Sequence, residues 1–280
     1  SLPHTPPPHP LPQGQGKIAA AVAAGMAAAV AALVYSGWLT LENFPKRLLV
    51  CVLAVVAAYF VRLLASPLTG AENKRHIIAY IPLFLAICLF WAVWFQVYTV
   101  ATVYFDETVN RTVGGFTVPV SWKDSVQSMW VVLFSGLLAA LWTKMGARQP
   151  KTPLKFALSL LITGAAYLAF VPFVSSGTPM PMVLFFLVLL AITVGELLLS
   201  PISLSFATKI APPMFKTQMV ALNFLALSIG FTLGGLLFDK FHHEGADTGF
   251  YWLLFAIGAV SGGALLLLAP LLNRLLKGAD

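Results

Sequence analysis

One acidic side chain lies inside an apolar segment, and its position predicts proton or cation chemistry. Glu196 falls within MVLFFLVLLAITVGELLLSPISLSF, residues 182–206, whereas the other acidic residues fall in loops or at predicted helix ends. A charge inside a bilayer costs about 2.5 to 3.5 kcal/mol or more, so the carboxyl group must be neutralised, paired or exposed to water. We therefore expect Glu196 to be protonatable near neutral pH. The alternative is a permanently neutral carboxyl that only bridges helices.

Two features of the sequence favour a binding site around Glu196. Pro201 cannot donate a helix hydrogen bond, and a bent or broken helix beside a buried carboxyl is a recurring way to build a site at the membrane midplane. Other polar residues at membrane depth either bond between helices or line one cavity; they are Gln96, Tyr98, Thr99, Thr102, Gln127, Ser200, Ser203, Ser205, Asn223 and Ser228.

Eight apolar segments are long enough to position these residues across a bilayer of about 30 Å. Short polar or Pro- and Gly-rich separators make consecutive helices antiparallel neighbours. The sequence thus predicts an all-α, polytopic membrane helix bundle. The predicted spans are 18–40, 48–66, 77–105, 125–143, 154–174, 181–207, 218–238 and 249–272.

The composition excludes most other classes of protein. Of 280 residues, 59% are hydrophobic and 10% are charged, which is too little charge to cover a water-soluble core. No catalytic or metal-binding motif is present, so neither an enzyme nor a cofactor is expected, and a lipid-modifying enzyme is disfavoured. The net charge of +7 needs no nucleic-acid partner if the basic residues lie on one membrane side.

The orientation follows from the distribution of Lys and Arg at the predicted helix ends. Five basic residues fall on one side, namely Lys46, Arg47, Arg111, Lys123 and Lys240. The opposite side carries ten, namely Lys74, Arg75, Lys144, Arg148, Lys151, Lys155, Lys209, Lys216, Arg274 and Lys277. The side with more Lys and Arg is expected to face the cytoplasm, and both termini are expected on that side. The expected location of the chain is the inner membrane of the cell.

Four segments resemble the proton-dependent oligopeptide transporter family, a branch of the major facilitator superfamily. The most specific is GELLLSPISLSFATKIAPP, residues 195–213, which resembles that family's tenth helix. KMGARQPKTPLKFALSLL at 144–161, KTQMVALNFLALSIG at 216–230 and FWAVWFQ at 90–96 resemble the loop between helices 8 and 9, helix 11 and helix 7. The amino-terminal E-x-x-E-R cluster of the family is absent.

This resemblance implies a domain organisation and a function. Residues 1–16 form a Pro-rich linker, 17–70 an extra transmembrane helical pair, and 71–280 the six-helix carboxyl-terminal half of a major facilitator fold. The implied function is proton-coupled uptake of di- or tripeptides, with membrane lipid as solvent and with an amino-terminal six-helix half as partner. Protons are the coupling ion.

The resemblance also assigns roles to individual residues. Glu196 matches a cavity carboxylate for peptide amino-terminus recognition or proton coupling, and Asp106 resembles an acidic gating residue that pairs with an arginine in the amino-terminal half. The other matched substrate-binding positions are Ser200, Gln127, Asn223, Phe224 and Gln96.

Two positions depart from the family pattern. Phe95 replaces the usual Glu before the glutamine of helix 7, and Asn223 replaces the usual Trp before the phenylalanine of helix 11. These departures favour an alternative function, a transport-deficient membrane scaffold or sensor that retains the transporter fold.

Overall fold

The computed structural model describes residues 21, 24–25, 28–38, 40, 42–242 and 248–277. The chain divides into two units, Ser1–Leu48 and Leu49–Asp280. In the first unit, the described residues are helical at 28–35, and the Arg47 guanidinium lies 4.4 Å from the Trp38 ring centroid.

From residue 44 onward, the described residues form nine α-helices, and most of these are joined by short turns. Their bounds are α1 (Phe44–Ala65), α2 (Ala71–Trp94), α3 (Val100–Glu107), α4 (Trp122–Met145), α5 (Thr152–Ala166), α6 (Val171–Ser176), α7 (Met182–Ile210), α8 (Lys216–Phe241) and α9 (Gly249–Leu275). The helices α2 and α3 form one apolar span, and so do α5 and α6.

Seven helical spans among the described residues are long and apolar enough to cross a membrane. They correspond to the predicted spans from 48–66 onward, each with shifted ends. The predicted first span, 18–40, falls partly outside the described residues. The prediction of an all-α membrane helix bundle is confirmed.

The second unit is built around α2, which packs against α8, α9 and α5. The helix α5 in turn packs against α9 and α7, and α4 packs against α7. Close approach depends on small residues: a Cβ atom added to Gly234 in α8 would lie 2.8 Å from Phe95 Cβ. Within lipid, such small residues let helix backbones come together.

The span formed by α2 and α3 is interrupted by a 3₁₀ turn at Phe95–Val97. An irregular backbone at membrane depth needs hydrogen-bond partners from the protein. The Val97 carbonyl oxygen accepts hydrogen bonds from Thr102 Oγ1 at 2.9 Å and from Lys123 Nζ at 3.2 Å. The break is therefore held by side chains from its own span and from α4.

A small hairpin lies between α3 and α4. Its strands β1 (Thr112–Val113) and β2 (Phe116–Thr117) pair antiparallel. Gly114 and Gly115 form the turn with φ values of 58° and 83°, a conformation that favours glycine.

The helix α7 runs unbroken from Met182 to Ile210 through Pro201. The helix is therefore not broken at this proline, and of the two forms that the sequence allows, bent or broken, only the bent one stays a prediction. Prolines are tolerated within membrane helices when the freed carbonyl is satisfied locally or the backbone adjusts.

Candidate functional site

The carboxyl group of Glu196 meets an indole near the middle of α7. Trp94 Nε1 donates a hydrogen bond to Glu196 Oε2 at 2.9 Å. Trp94 is the last residue of α2 and is buried, whereas Glu196 is half-buried. The bond joins two helices at the point where α2 gives way to the 3₁₀ turn.

Aromatic rings surround the indole partner of Glu196. Trp94 stacks on Phe231 of α8, with ring centroids 6.0 Å apart and planes 11° apart. Trp91 meets Phe231 edge-on at 5.6 Å, and Tyr98 meets Trp94 edge-on at 5.4 Å. The aromatic run 90–95 thus forms an interior wall beside the carboxyl group, and it lies away from both ends of the membrane span Ala71–Glu107.

No basic side chain among the described residues forms an ion pair with Glu196. The ion pairs of that part of the chain join Arg111 to Asp106 and Lys123 to Asp124. A carboxyl group with a single neutral donor at membrane depth has two ways to avoid an isolated charge. It can hold a proton, or it can bind the cationic group of a ligand.

Lys123 is a buried cation near this wall. Its Nζ donates to the Val97 carbonyl and, at 2.5 Å, to Asp124 Oδ1. The same atom lies 5.4 Å from the ring centroid of Tyr98, which suits a cation–π contact. Lys123 is therefore joined to Glu196 through two rings, Tyr98 and Trp94.

Gln96 is fully buried and its side-chain groups are all bonded within the protein. Nε2 donates to the carbonyl oxygens of Gly234 at 2.9 Å and Ala92 at 3.1 Å, and Oε1 accepts from Thr99 Oγ1 at 2.6 Å. These bonds tie α2 to α8. In this conformation Gln96 supports packing rather than offering atoms to a ligand.

The other predicted substrate-binding residues differ in their availability. Gln127 Nε2 and Asn223 Oδ1 are buried without a hydrogen-bond partner among the described residues. Ser200 is half-buried and lies one helical turn after Glu196, hence on the same face of α7. Phe224 is 56% exposed. No described hydrogen bond or ring contact joins these four residues to Glu196.

Asp106 lies at the end of α3 and is exposed. Its carboxylate accepts a hydrogen bond from Arg111 Nη2 at 2.5 Å. The same guanidinium donates to the carbonyl oxygens of Asp106 and Val118. In this structure the predicted gating residue is thus paired with Arg111 from the loop that follows α3; its pairing with an arginine of the amino-terminal half stays a prediction.

Sequence reasoning missed Trp94 and Lys123 as parts of this site. Trp94 and Glu196 are separated by 102 positions, so no local spacing links them. Lys123 was counted only as a charge at a helix end. Its one signal was its place at the start of an apolar helix, where a lysine ordinarily extends towards water.

Comparison with known proteins shows which family this chain resembles in sequence. The sequence profile of the POT family matches residues 4–252. An uncharacterized transporter of Bacillus subtilis (strain 168) is 35% identical over 262 residues, which cover 90% of this chain and 52% of that protein. A di-/tripeptide transporter of Lactococcus lactis subsp. cremoris is 34% identical over 246 residues, which cover 84% of this chain and 49% of that protein.

Solved structures agree with the sequence relatives. A crystal structure of the peptide transporter POT in complex with sulfate is 34% identical, with a TM-score of 0.85 over 97% of this chain and 56% of that one. A POT family transporter in complex with 5-aminolevulinic acid is 25% identical, with a TM-score of 0.80. The chain spans about half the length of the curated relatives it matches.

Proposed function

Because this chain belongs to the POT family, we propose that it forms one half of a secondary active transporter for di- or tripeptides. The chain is a multi-pass membrane protein of a transporter family. The relative from Lactococcus lactis subsp. cremoris is named a di-/tripeptide transporter, which supports a small peptide as the substrate. The proposed coupling ion is the proton.

One observation supports the proton coupling: Glu196 lies within a membrane-spanning helix, and its hydrogen-bond partner among the described residues is a neutral donor, Trp94 Nε1. A peptide brings its own ammonium group. When that group binds, the ionised carboxylate gains a cationic partner, and when it leaves, a proton restores neutrality. Proton and peptide then share one carboxyl group, which is the linkage that coupled transport requires.

The proposed partner is an amino-terminal six-helix half, in the same chain or a second one. The curated relatives extend over about twice the matched length. A substrate site in such folds forms between two structural repeats, so each half supplies only some of the contacts. The proposed orientation puts both ends of this chain in the cytoplasm, at the inner membrane of the cell.

A scaffold or sensor without transport is the second candidate, and Phe95 favours it. The Phe95 ring packs against Phe231 with centroids 5.2 Å apart, in the place where the resembled family has an acidic group. If the second carboxylate is essential, this chain keeps the fold and loses coupling. Transport measurements separate the two functions.

The test is peptide uptake into proteoliposomes. This chain is combined with the amino-terminal half of the Lactococcus lactis relative, produced as a separate polypeptide. A radiolabelled dipeptide should accumulate against its gradient when the outside is acidic, and a protonophore should abolish the accumulation. The matched control is the Lactococcus lactis transporter split at the same boundary.

The result discriminates between transport and scaffolding. Accumulation in the control without any accumulation in the combined protein, although both halves are inserted and associated, would contradict the proposed function. If the dipeptide still accumulates in the presence of the protonophore, the protein transports peptide but the proposed proton coupling is wrong.

A further inference from the structure

A separate cavity of about 740 Å³ lies between α4, the 146–151 loop, the start of α5 and the second half of α7. This volume is within the usual range of small-molecule sites, about 300 to 1,000 Å³. Neither Glu196 nor Trp94 lines it. The cavity is therefore distinct from the carboxyl site, although both use α7.

The cavity changes character along its length. Deep in the span its walls are mainly apolar, formed by residues such as Leu138, Leu197 and Pro201, with Ser135 among them. At the loop end, three lysines line it, Lys151, Lys155 and Lys209, and no acidic residue is among the lining residues of this described cavity. The two ends thus suit an apolar chain and an anionic group, respectively.

The cavity follows the helix axes rather than lying across them. Its walls include Ser135, which precedes the end of α4 at Met145 by about 15 Å at the usual rise of 1.5 Å per residue. On α7 they extend from Leu197 to Lys209, in the last turn of the helix. A ligand that fills the cavity is therefore elongated, with one end at the helix termini.

Lys155 is fixed against the wall of this cavity. Its Nζ lies 4.4 Å from the Trp142 ring centroid and donates to Gln149 Oε1 at 2.8 Å. Tryptophan and lysine at helix ends are typical of the membrane–water boundary. The basic end of the cavity is thus at headgroup level.

We propose that this cavity binds one anionic phospholipid. Its phosphate group lies between Lys151 and Lys209, and an acyl chain runs along α4 and α7 towards Leu197. A soluble phosphate would leave the apolar end empty, and a neutral lipid would bring no anionic group to Lys151 and Lys209. Each basic residue near an anionic headgroup contributes roughly a fivefold preference.

The test uses the whole chain in detergent micelles and follows tryptophan fluorescence. Phosphatidylglycerol with brominated acyl chains should quench Trp142 more strongly than brominated phosphatidylcholine. Trp142→Phe should remove that difference, because the remaining tryptophans do not line the cavity. Inorganic phosphate at millimolar concentration should not displace the brominated lipid.

Two matched double variants test the lysines. Lys151→Gln with Lys209→Gln should reduce the preference for phosphatidylglycerol roughly 25-fold, at about fivefold for each charge. The control is Lys144→Gln with Lys216→Gln, which removes two exposed lysines outside the cavity lining. This control should keep the preference within about twofold.

A third variant tests the apolar end without changing any charge. Ala139→Phe in α4 fills part of the cavity without adding an indole and should weaken binding of both brominated lipids at Trp142. Equal losses in the two lysine variants would show a general surface charge effect and overturn the proposal. So would displacement by inorganic phosphate alone, or a cavity filled by an acidic segment of the amino-terminal half when that half is bound.

Discussion

Tryptophan is a neutral partner for the half-buried carboxyl group of Glu196, because its indole has one N–H donor and no charge. The bond from Trp94 holds one oxygen of Glu196 and leaves the other free of described partners. The carboxyl is thus fixed in place without being neutralised. A proton or a peptide ammonium group can neutralise the carboxylate. With the proton, Glu196 is itself uncharged; with the ammonium group, Glu196 stays ionised and forms an ion pair.

Replacement of Glu196 by Gln tests whether that change of charge drives transport. The amide keeps the size and a hydrogen-bond acceptor for Trp94, but it cannot titrate. In the combined transporter, Glu196→Gln should abolish proton-driven accumulation of dipeptide while the protein remains folded and inserted. If the carboxyl only bridges helices, uptake and its pH dependence should stay at the wild-type level.

Glu72→Gln is the matched control for this variant. Glu72 is exposed in the first turn of α2 and its loss removes the same functional group. Its uptake should equal that of the wild type. Equal losses of uptake in both variants would remove the special role of Glu196.

Trp94→Phe tests the positioning of the carboxyl group. The phenyl ring keeps an aromatic contact with Phe231, but the N–H donor is lost. A hydrogen bond to a charged group contributes about 1.5 to 3 kcal/mol, and Glu196 is only half-buried, so we expect a rise in KM for the peptide of roughly fivefold to tenfold.

The comparison with Trp91→Phe separates this bond from the packing of the wall. Trp91 also meets Phe231, and its indole forms no hydrogen bond among the described residues. Its replacement should change KM less than twofold. The same rise in KM for both variants would show that ring volume, not the N–H group, is what matters.

The sequence located one partner of the central hydrogen bond and not the other. Glu196 is recognisable because a single acidic residue inside an apolar segment is costly wherever the chain folds. Trp94 is one of several aromatic residues in its segment, and only the packing of α2 against α7 selects it. Gln96 shows the reverse, because a polar residue at membrane depth bonds to backbone as readily as to ligand.

At the scale of helices, close backbone contact explains many of the glycines. A Cβ atom on Gly258 of α9 would lie 2.6 Å from the Leu160 carbonyl oxygen and 2.8 Å from Gly164 Cα in α5. By contrast, no heavy atom lies within 4 Å of a Cβ added at Gly263, in the same helix. Gly258 is therefore required for close packing of the two helices, whereas Gly263 has no such steric requirement.

This difference predicts opposite effects of alanine in α9. Gly258→Ala forces α5 and α9 apart and should destabilise the protein by about 1 to 3 kcal/mol, the usual cost of overpacking. Gly263→Ala should be neutral or stabilising by up to about 1 kcal/mol, because alanine favours the helix. Thermal unfolding in detergent measures both. Equal midpoints for the two variants would contradict the assigned contact.

The helices were predictable because their apolar length is a bulk property of the sequence, and their ends and interruptions were not. The predicted span 77–105 became the helices α2 and α3 with a 3₁₀ turn between them, since the turn depends on partners such as Lys123 from another helix. The hairpin 112–117 was missed although Gly114-Gly115 is a turn signal. Its two-residue strands are too short to show alternation.

In the second unit as a whole, three observations indicate that the basic segments lie at the same end of the helices. Arg75 Nη2 at the start of α2 lies 3.5 Å from the Arg274 carbonyl oxygen at the end of α9. Lys151 and Lys209 line one cavity, and Arg62 shares a second cavity, of about 520 Å³, with Met214. The antiparallel order expected from the short separators agrees with these contacts.

The location of that end relative to the membrane gives the last prediction. The excess of Lys and Arg at the segments 67–76 and 144–153 favours the cytoplasm, because basic loops are retained there during insertion. The hairpin 112–117 lies between consecutive spans at the opposite end of the helices and is then outside the cell. We test this with single cysteines at positions 112 and 148, both of which are exposed between spans.

Cys51 and Cys88 are first replaced by alanine to remove background labelling. A membrane-impermeant maleimide added to intact cells should label Thr112→Cys and leave Arg148→Cys unlabelled until the membrane is permeabilised. Labelling of position 148 from outside, with position 112 protected, would reverse the orientation. The lysine end of the lipid cavity would then face the exterior, where anionic lipid is scarcer, so this experiment also decides which leaflet supplies the proposed lipid.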